Sequence, residues 1–312
     1  MRAVRQHAYG TPFVVEEVAA PEPGPKEAVV TVTAAAVNPL DVWISQGTLA
    51  AAGPLPRTAG CEGAGRLPDG RRVAFRGGGL GLVRDGAWAE QVAVPLVHCV
   101  DIPDGVDDAV ATSLGIAGIT ALDALDLGRV ERGSTVLVLG ASGGVGDLAC
   151  QLARARGATV VAQTGTEARR PRLASIADHV VVAEDADLVD AVRAEASDGV
   201  DVVLDGLSGG YTGASVELLK PFGRIVVYGA SAGPTISLSS QPFYRRNASV
   251  IGYSGLAHGP GEVAWRFAVL LAEAAAGRLD VAIADRLGLA DANEAVARLV
   301  ERRAAGKQVL VP

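Results

Sequence analysis

The heptapeptide Gly140-Ala-Ser-Gly-Gly-Val-Gly146 has the residue spacing that most directly implies chemistry in this chain. In the register Ala141-x-Gly143-x-x-Gly146 it is a variant of the fingerprint that seats a dinucleotide pyrophosphate. Small residues let the backbone approach the phosphates, and the helix that follows offers free N–H groups and the positive end of its dipole. Ser142, Gly143, Gly144 and Val145 are the expected contacts. Glycines also serve ordinary tight turns, so the motif takes its meaning from the elements around it.

Those elements fit. Thr135 to Leu139 is an unbroken β-branched and leucine run, as in a central parallel strand covered on both faces. Residues 147–156 carry apolar side chains at helical spacing, and Gly157 closes the helix. Strand patterns then recur at 159–163, 179–182, 200–204, 224–229 and 249–253, with helices expected near 169–177, 187–195 and 215–219. This alternation predicts a doubly wound parallel sheet. Residues 1–102 read differently, as short strands punctuated by Pro and Gly, which predicts a β-rich, barrel-like domain. Residues 107–128 read as one helical stretch, and residues 261–312 are too few to bury a core and are expected to return to the first domain. The expected divisions are 1–110, 111–254 and 255–312.

Bulk properties narrow the function. The 312 residues carry a net charge of -7, which argues against a nucleic-acid or anionic-membrane surface. With no apolar run of about 18 residues and no signal-peptide pattern at the start, a soluble cytoplasmic protein is expected. Cys61, Cys99 and Cys150 are odd in number and widely spaced, so neither a disulfide framework nor a Cys-x-x-Cys metal knuckle is available.

Several motifs in order extend the argument over nearly the whole chain: Ala34-Ala-Ala-Val-Asn-Pro-Leu-Asp-Val-Trp-Ile44, Gly60-Cys-Glu-Gly-Ala-Gly65, Gly86-Ala-Trp-Ala-Glu90, Ala117-Gly-Ile-Thr120, the glycine turn itself, Val202-Val-Leu-Asp-Gly206 and Gly306-Lys-Gln-Val-Leu310. With these the chain resembles the zinc-independent quinone oxidoreductase (zeta-crystallin-like) branch of the medium-chain dehydrogenase/reductases. The resemblance implies an α/β fold: a split GroES-like β-barrel catalytic domain with an inserted Rossmann doubly wound parallel sheet, and NADPH as cofactor. It also implies cofactor contacts from Asn38, Thr120, Thr164, Gly165, Gly229, Ala230 and Arg302, and a homodimer joined through the edge strand near Val250 to Tyr253. Zinc-dependent relatives carry Cys where this chain has Asn38 and His where it has Cys61. Catalytic zinc needs three protein ligands, so no metal is expected and Cys61-Glu62 reads as a buried thiol beside a carboxylate.

The end of the second sheet strand bears on cofactor choice. An Asp or Glu there binds a ribose 2′-hydroxyl and repels a 2′-phosphate, whereas this chain has Gln163 and Thr164. Arg169 matches a position where the family often has a phosphate-pairing Lys, and its fork suits a phosphate. The bland alternative for it, and the favoured one for Arg170 and Arg172, is a solvated helix-face charge. Glu167 stands close enough in sequence to neutralise the site.

In the catalytic domain, Asn38, Asp41 and Trp43 match residues that position substrate and nicotinamide, with no firm proton donor among them. Asp41 is equally well read as a helix N-terminal charge. Trp43, where quinone reductases commonly have Tyr, can stack on a flat substrate. The family's later Tyr is absent from Gly47-Thr48-Leu49, which argues against an enoyl thioester reductase. Neither His98 nor His258 has a general-base motif. Three functions therefore follow in order: an NADPH-dependent quinone reductase; a reductase of activated C=C bonds in enones, alkenals or biosynthetic intermediates; and a non-catalytic NADPH-binding, crystallin-like or RNA-binding protein.

Overall fold

The computed structural model describes residues 1–49 and 52–312. It falls into two compact units, Met1–Ile119 with Leu256–Pro312, and Thr120–Gly255.

The first unit opens with eight strands: β1 (Arg2–Gln6), β2 (Val14–Glu17), β3 (Glu27–Ala36), β4 (Arg57–Thr58), β5 (Glu62–Arg66), β6 (Arg72–Arg76), β7 (Gln91–Pro95) and β8 (Cys99–Asp101). Helix α1 (Pro39–Ser45) interrupts them after β3, and α2 (Asp108–Gly115) and α3 (Ala117–Gly128) follow them. Antiparallel pairing joins β3, β5, β6 and β8, while β7 pairs with β3 and a small sheet runs β2-β1-β4. The core centres on Trp88, Phe75 and Phe13, with Phe13 set edge-on to Trp88 at 5.3 Å.

The expected single helix over 107–128 is two helices bent by 42° at Ile116. The cause lies outside the local sequence. Glu62 Oε2, from β5, accepts the Ile116 N–H at 2.5 Å, and a Cβ at Gly115 would stand 2.6 Å from the same oxygen. A carboxylate inserted at a helix boundary takes the N–H that would continue the ladder.

The second unit contains β9 (Thr135–Leu139), α4 (Gly144–Ala155), β10 (Thr159–Thr164), α5 (Arg170–Ile176), β11 (His179–Val182), α6 (Leu188–Glu195), β12 (Val200–Asp205), α7 (Gly210–Val216), β13 (Leu219–Val227), α8 (Ser240–Arg245) and β14 (Ser249–Gly252). All the pairings of this sheet are parallel, in the order β11-β10-β9-β12-β13-β14. The helix expected at 215–219 lies earlier, and β13 already begins at Leu219. The register irregularity between Val200 and Val202 admits this early start past Pro221.

The chain then re-enters the first unit through α9 (Pro260–Ala275), β15 (Ile283–Gly288), α10 (Ala292–Val300) and β16 (Lys307–Val311). Strand β16 pairs with β15 on one side and β3 on the other, so the C-terminal strand is built into the first sheet. The architecture is thus a split β-rich unit with an inserted doubly wound parallel sheet. Among the described residues no single helix is long and apolar enough to cross a membrane.

Candidate functional site

Strand order in the parallel sheet reverses direction at the β9–β12 junction, and the turn after each of those strands faces that switch point. Open α/β sheets bind ligands there, outside the carboxyl ends of the strands. After β9 comes the glycine turn. Gly140 has φ +63°, which favours glycine, and a Cβ on Gly146 would stand 2.6 Å from Gly140 O and 2.7 Å from Ala141 Cα. Helix and strand can approach this closely only without that side chain. Gly143 is the extended N-cap of α4, makes no side-chain cap bond and is exposed. Ser142, Gly144 and Val145 are half-buried around it, and Ser142 Oγ stands 3.4 Å from Thr164 Oγ1. The first turn of α4 therefore presents N–H groups uncapped by a side chain, which suits a phosphate.

Gln163 fixes this turn from inside. It is 1% exposed; its Oε1 accepts from Gly140 N at 2.8 Å and its Nε2 donates to Ala183 O at 2.7 Å. The side chain at the β10 end is thus a strut between the glycine turn and the segment after β11. Thr164 is buried behind it and Gly165 is exposed. Arg169 ends a single turn, Glu167–Arg169, and is half-buried. Glu167 pairs with Arg170, whose Nη1 also donates to Val180 O at 3.0 Å. Arg172 grips Asp147 through two bonds of 2.8 Å. Arg170 and Arg172 are committed within the unit.

After β12, Asp205 is fully buried and accepts from Leu207 N and Ser208 N, both at 2.8 Å, and from Thr212 Oγ1 at 2.5 Å. Ser208 Oγ in turn donates to Gly229 O at 2.7 Å, which fixes the strand end that carries Gly229 and exposed Ala230. Burial pushes the Tyr228 phenol well above its ordinary range. Thr120 is half-buried on α3.

The first unit holds a buried polar cluster. Asn38 precedes α1; its Nδ2 donates to Glu62 Oε1 at 2.7 Å and its Oδ1 accepts from Lys307 Nζ at 2.5 Å. Lys307 Nζ is 3.7 Å from Glu62 Oε1, with the two side chains 7% and 0% exposed. Asp41 accepts from Asn38 N at 2.8 Å and from Cys61 N at 3.0 Å, so its carboxylate closes the start of α1 and the entry to β5. Burial raises the Asp41 pKa to about 6 against those hydrogen bonds. Burial also drives the Cys61 thiol far up, with Asp41 adding to it, and pulls the Lys307 ammonium down, with Glu62 and Asp41 pulling it back. Trp43 is half-buried on α1. Arg302 occupies an exposed left-handed position, φ +57°, just after α10.

Two family models match, Alcohol dehydrogenase GroES-like domain over residues 24–104 and Zinc-binding dehydrogenase over residues 144–270. The quinone oxidoreductase of Pongo abelii is 31% identical over an alignment covering 100% of this chain and 98% of that protein. The chain belongs to the zinc-independent quinone oxidoreductase family of medium-chain dehydrogenase/reductases. Among solved structures, an NAD-dependent alcohol dehydrogenase superposes with a TM-score of 0.91 at 30% identity, covering 100% of both chains. A mycobacterial protein complexed with NADPH superposes with a TM-score of 0.89 at 28% identity, again over 100% of both. The protein is accordingly an oxidoreductase with a fold that takes a nicotinamide dinucleotide, and the glycine turn and uncapped α4 fit that group.

A catalytic metal does not fit the cluster of this oxidoreductase. Both Glu62 oxygens accept N–H groups, and the Lys307 ammonium supplies a cation of the chain's own. Among the described residues no three or more His, Cys, Asp and Glu side chains are grouped to hold a metal ion. Lys307 in the first unit and Asp205 in the second were not candidates from sequence, Glu62 was read only as a carboxylate beside a buried thiol, and Gln163 only as an uncharged strand end. Their one local signal is a charged or amide side chain placed in or beside an apolar strand, as in Lys307-Gln-Val-Leu310.

Proposed function

We propose that this oxidoreductase transfers a hydride from NADPH to a quinone. The observation that supports the acceptor is the engagement of the Asn38 cluster: Asp41 is held by backbone N–H groups, and Glu62 and Lys307 are held by Asn38 and by each other, so none of the three is set apart as a dedicated proton donor. Reduction of a quinone by two electrons leaves an oxyanion that solvent can protonate, so it needs none. When bound, NADPH supplies the hydride; the chain binds, orients and excludes water.

In this proposal Ser142, Gly143, Gly144 and Val145 hold the pyrophosphate, and Thr164 and Gly165 flank the adenosine ribose. Arg169 pairs with its 2′-phosphate, which the unacidic end of β10 supports. Thr120, Gly229, Ala230 and Arg302 complete the cofactor contacts. Asn38, its amide fixed in orientation by Glu62 and Lys307, and Trp43, with a flat indole, serve the reacting groups. A homodimer through β14 is part of the proposal, supported by its place at the sheet edge, where among the described residues it pairs with β13 alone. The cytoplasm is the proposed compartment, in keeping with three free cysteines.

Steady-state turnover of a benzoquinone series against simple enones tests the acceptor. Quinone-dependent NADPH oxidation is expected. Turnover of enones with none of any quinone would place the chain among C=C reductases instead.

A further inference from the structure

The end of β10 lacks an acidic residue of its own, yet a carboxylate stands over it. Glu184, two residues beyond β11, lies so close to Gly165 that a Cβ there would stand 2.7 Å from Glu184 Oε1. The approach is held from both sides. Tyr211 of α7 donates its hydroxyl to Glu184 Oε2 at 2.5 Å. The backbone before Glu184 is tied to β10, with Ala183 N donating to Thr164 O at 3.1 Å and Gln163 Nε2 donating to Ala183 O at 2.7 Å. Tyr211 itself is 5% exposed, whereas Glu184 is on the surface. One carboxylate oxygen is therefore anchored and the other is aimed across the strand end.

We propose that Glu184 is a specificity-determining residue that reaches from the neighbouring strand to the 2′-position of the adenosine ribose, accepting from a 2′-hydroxyl and opposing a 2′-phosphate. The chemistry is that of an acidic residue at the end of the second Rossmann strand, delivered here from the segment after β11, the third strand of the parallel sheet in chain order. Glu167, the acidic residue nearest Arg169 in sequence, has its charge matched by Arg170. Arg169 and Glu184 then act in opposition. Their balance makes the preference for NADPH a narrow one.

The assignment rests on the dinucleotide reading above. Its test is the dissociation constants of NADPH and NADH for the full chain, for Glu184→Gln and for Tyr211→Phe. Glu184→Gln keeps the shape and removes the charge, so the NADPH-to-NADH affinity ratio is expected to rise about three- to tenfold, a size set by like charges meeting at a solvated strand end. The rise should shrink as salt is added, because screening already weakens the repulsion in the unaltered chain. Tyr211→Phe keeps the charge but frees it from its anchor, and a smaller rise is expected. A ratio that neither variant moves, in a chain that binds both dinucleotides, overturns the role of Glu184 alone. Binding of neither dinucleotide by the unaltered chain overturns the dinucleotide reading and this assignment with it.

Discussion

Replacing Lys307 with Met removes an ammonium while keeping most of its apolar stem, so it separates charge from packing. In the native cluster Lys307 Nζ lies 3.7 Å from Glu62 Oε1 and 2.5 Å from Asn38 Oδ1, with Glu62 fully buried. At an effective dielectric of about 20 the attraction across that gap is roughly 4–5 kcal/mol. Much of it offsets desolvation in the intact pair, but removing one partner leaves the other buried without its counter-charge. The expected loss is about 3–5 kcal/mol of unfolding free energy. All three tryptophans, Trp43, Trp88 and Trp265, belong to the same unit as the cluster, so their fluorescence reports its unfolding in urea. Glu62→Gln introduced together with Lys307→Met should recover part of the loss, because the Glu62 carboxylate is then no longer buried without the ammonium that faced it. A loss below about 1 kcal/mol, or a double variant as unstable as the sum of the two singles, would refute the reasoning.

Three further outcomes follow from the same geometry. Asp41 has a folded-state pKa of about 6 against an ordinary 3.8, so its contribution to stability is present at low pH and is lost as pH rises through about 6; by linkage this amounts to roughly 3 kcal/mol between about pH 4 and 6, and a carboxyl NMR titration placing Asp41 below about 4.5 would contradict it. Gly146→Val would force a side chain to within 2.6 Å of Gly140 O, and dinucleotide affinity is expected to fall at least about tenfold by calorimetry, with unchanged affinity counting against the turn as the phosphate seat. Arg169→Ala should weaken NADPH about tenfold and leave NADH nearly unchanged, and equal effects on both would remove Arg169 from the 2′-phosphate.

The parallel sheet was legible because its strands carry short apolar stretches that alternate with helical spacing, most cleanly in β9 with the glycine turn that follows it. Thr135 to Leu139 and the turn after it are found where the pattern puts them. The break at Ile116 was not, because the oxygen that takes its N–H belongs to Glu62, 54 residues earlier. The same holds for the Asn38 cluster. Asn38 was visible through the family motif and Asp41 also as a helix N-terminal charge, but the partners that fix the Asn38 amide come from β5 and β16. Gln163 was legible only as an uncharged strand end; its inward turn toward Gly140 and Ala183 depends on a loop and a neighbouring strand. Local pattern specifies elements, and long-range polar contacts specify which side chains remain available for chemistry.

The most direct test of the central claim is a single turnover: the protein loaded with one equivalent of NADPH is mixed with excess 1,4-benzoquinone, and the cofactor absorbance and hydroquinone are followed together. Stoichiometric loss of NADPH with one hydroquinone formed per cofactor, faster than the same mixture without protein, is the predicted result. Bound NADPH that persists in the presence of the quinone, or disappears no faster than in free solution, would contradict it.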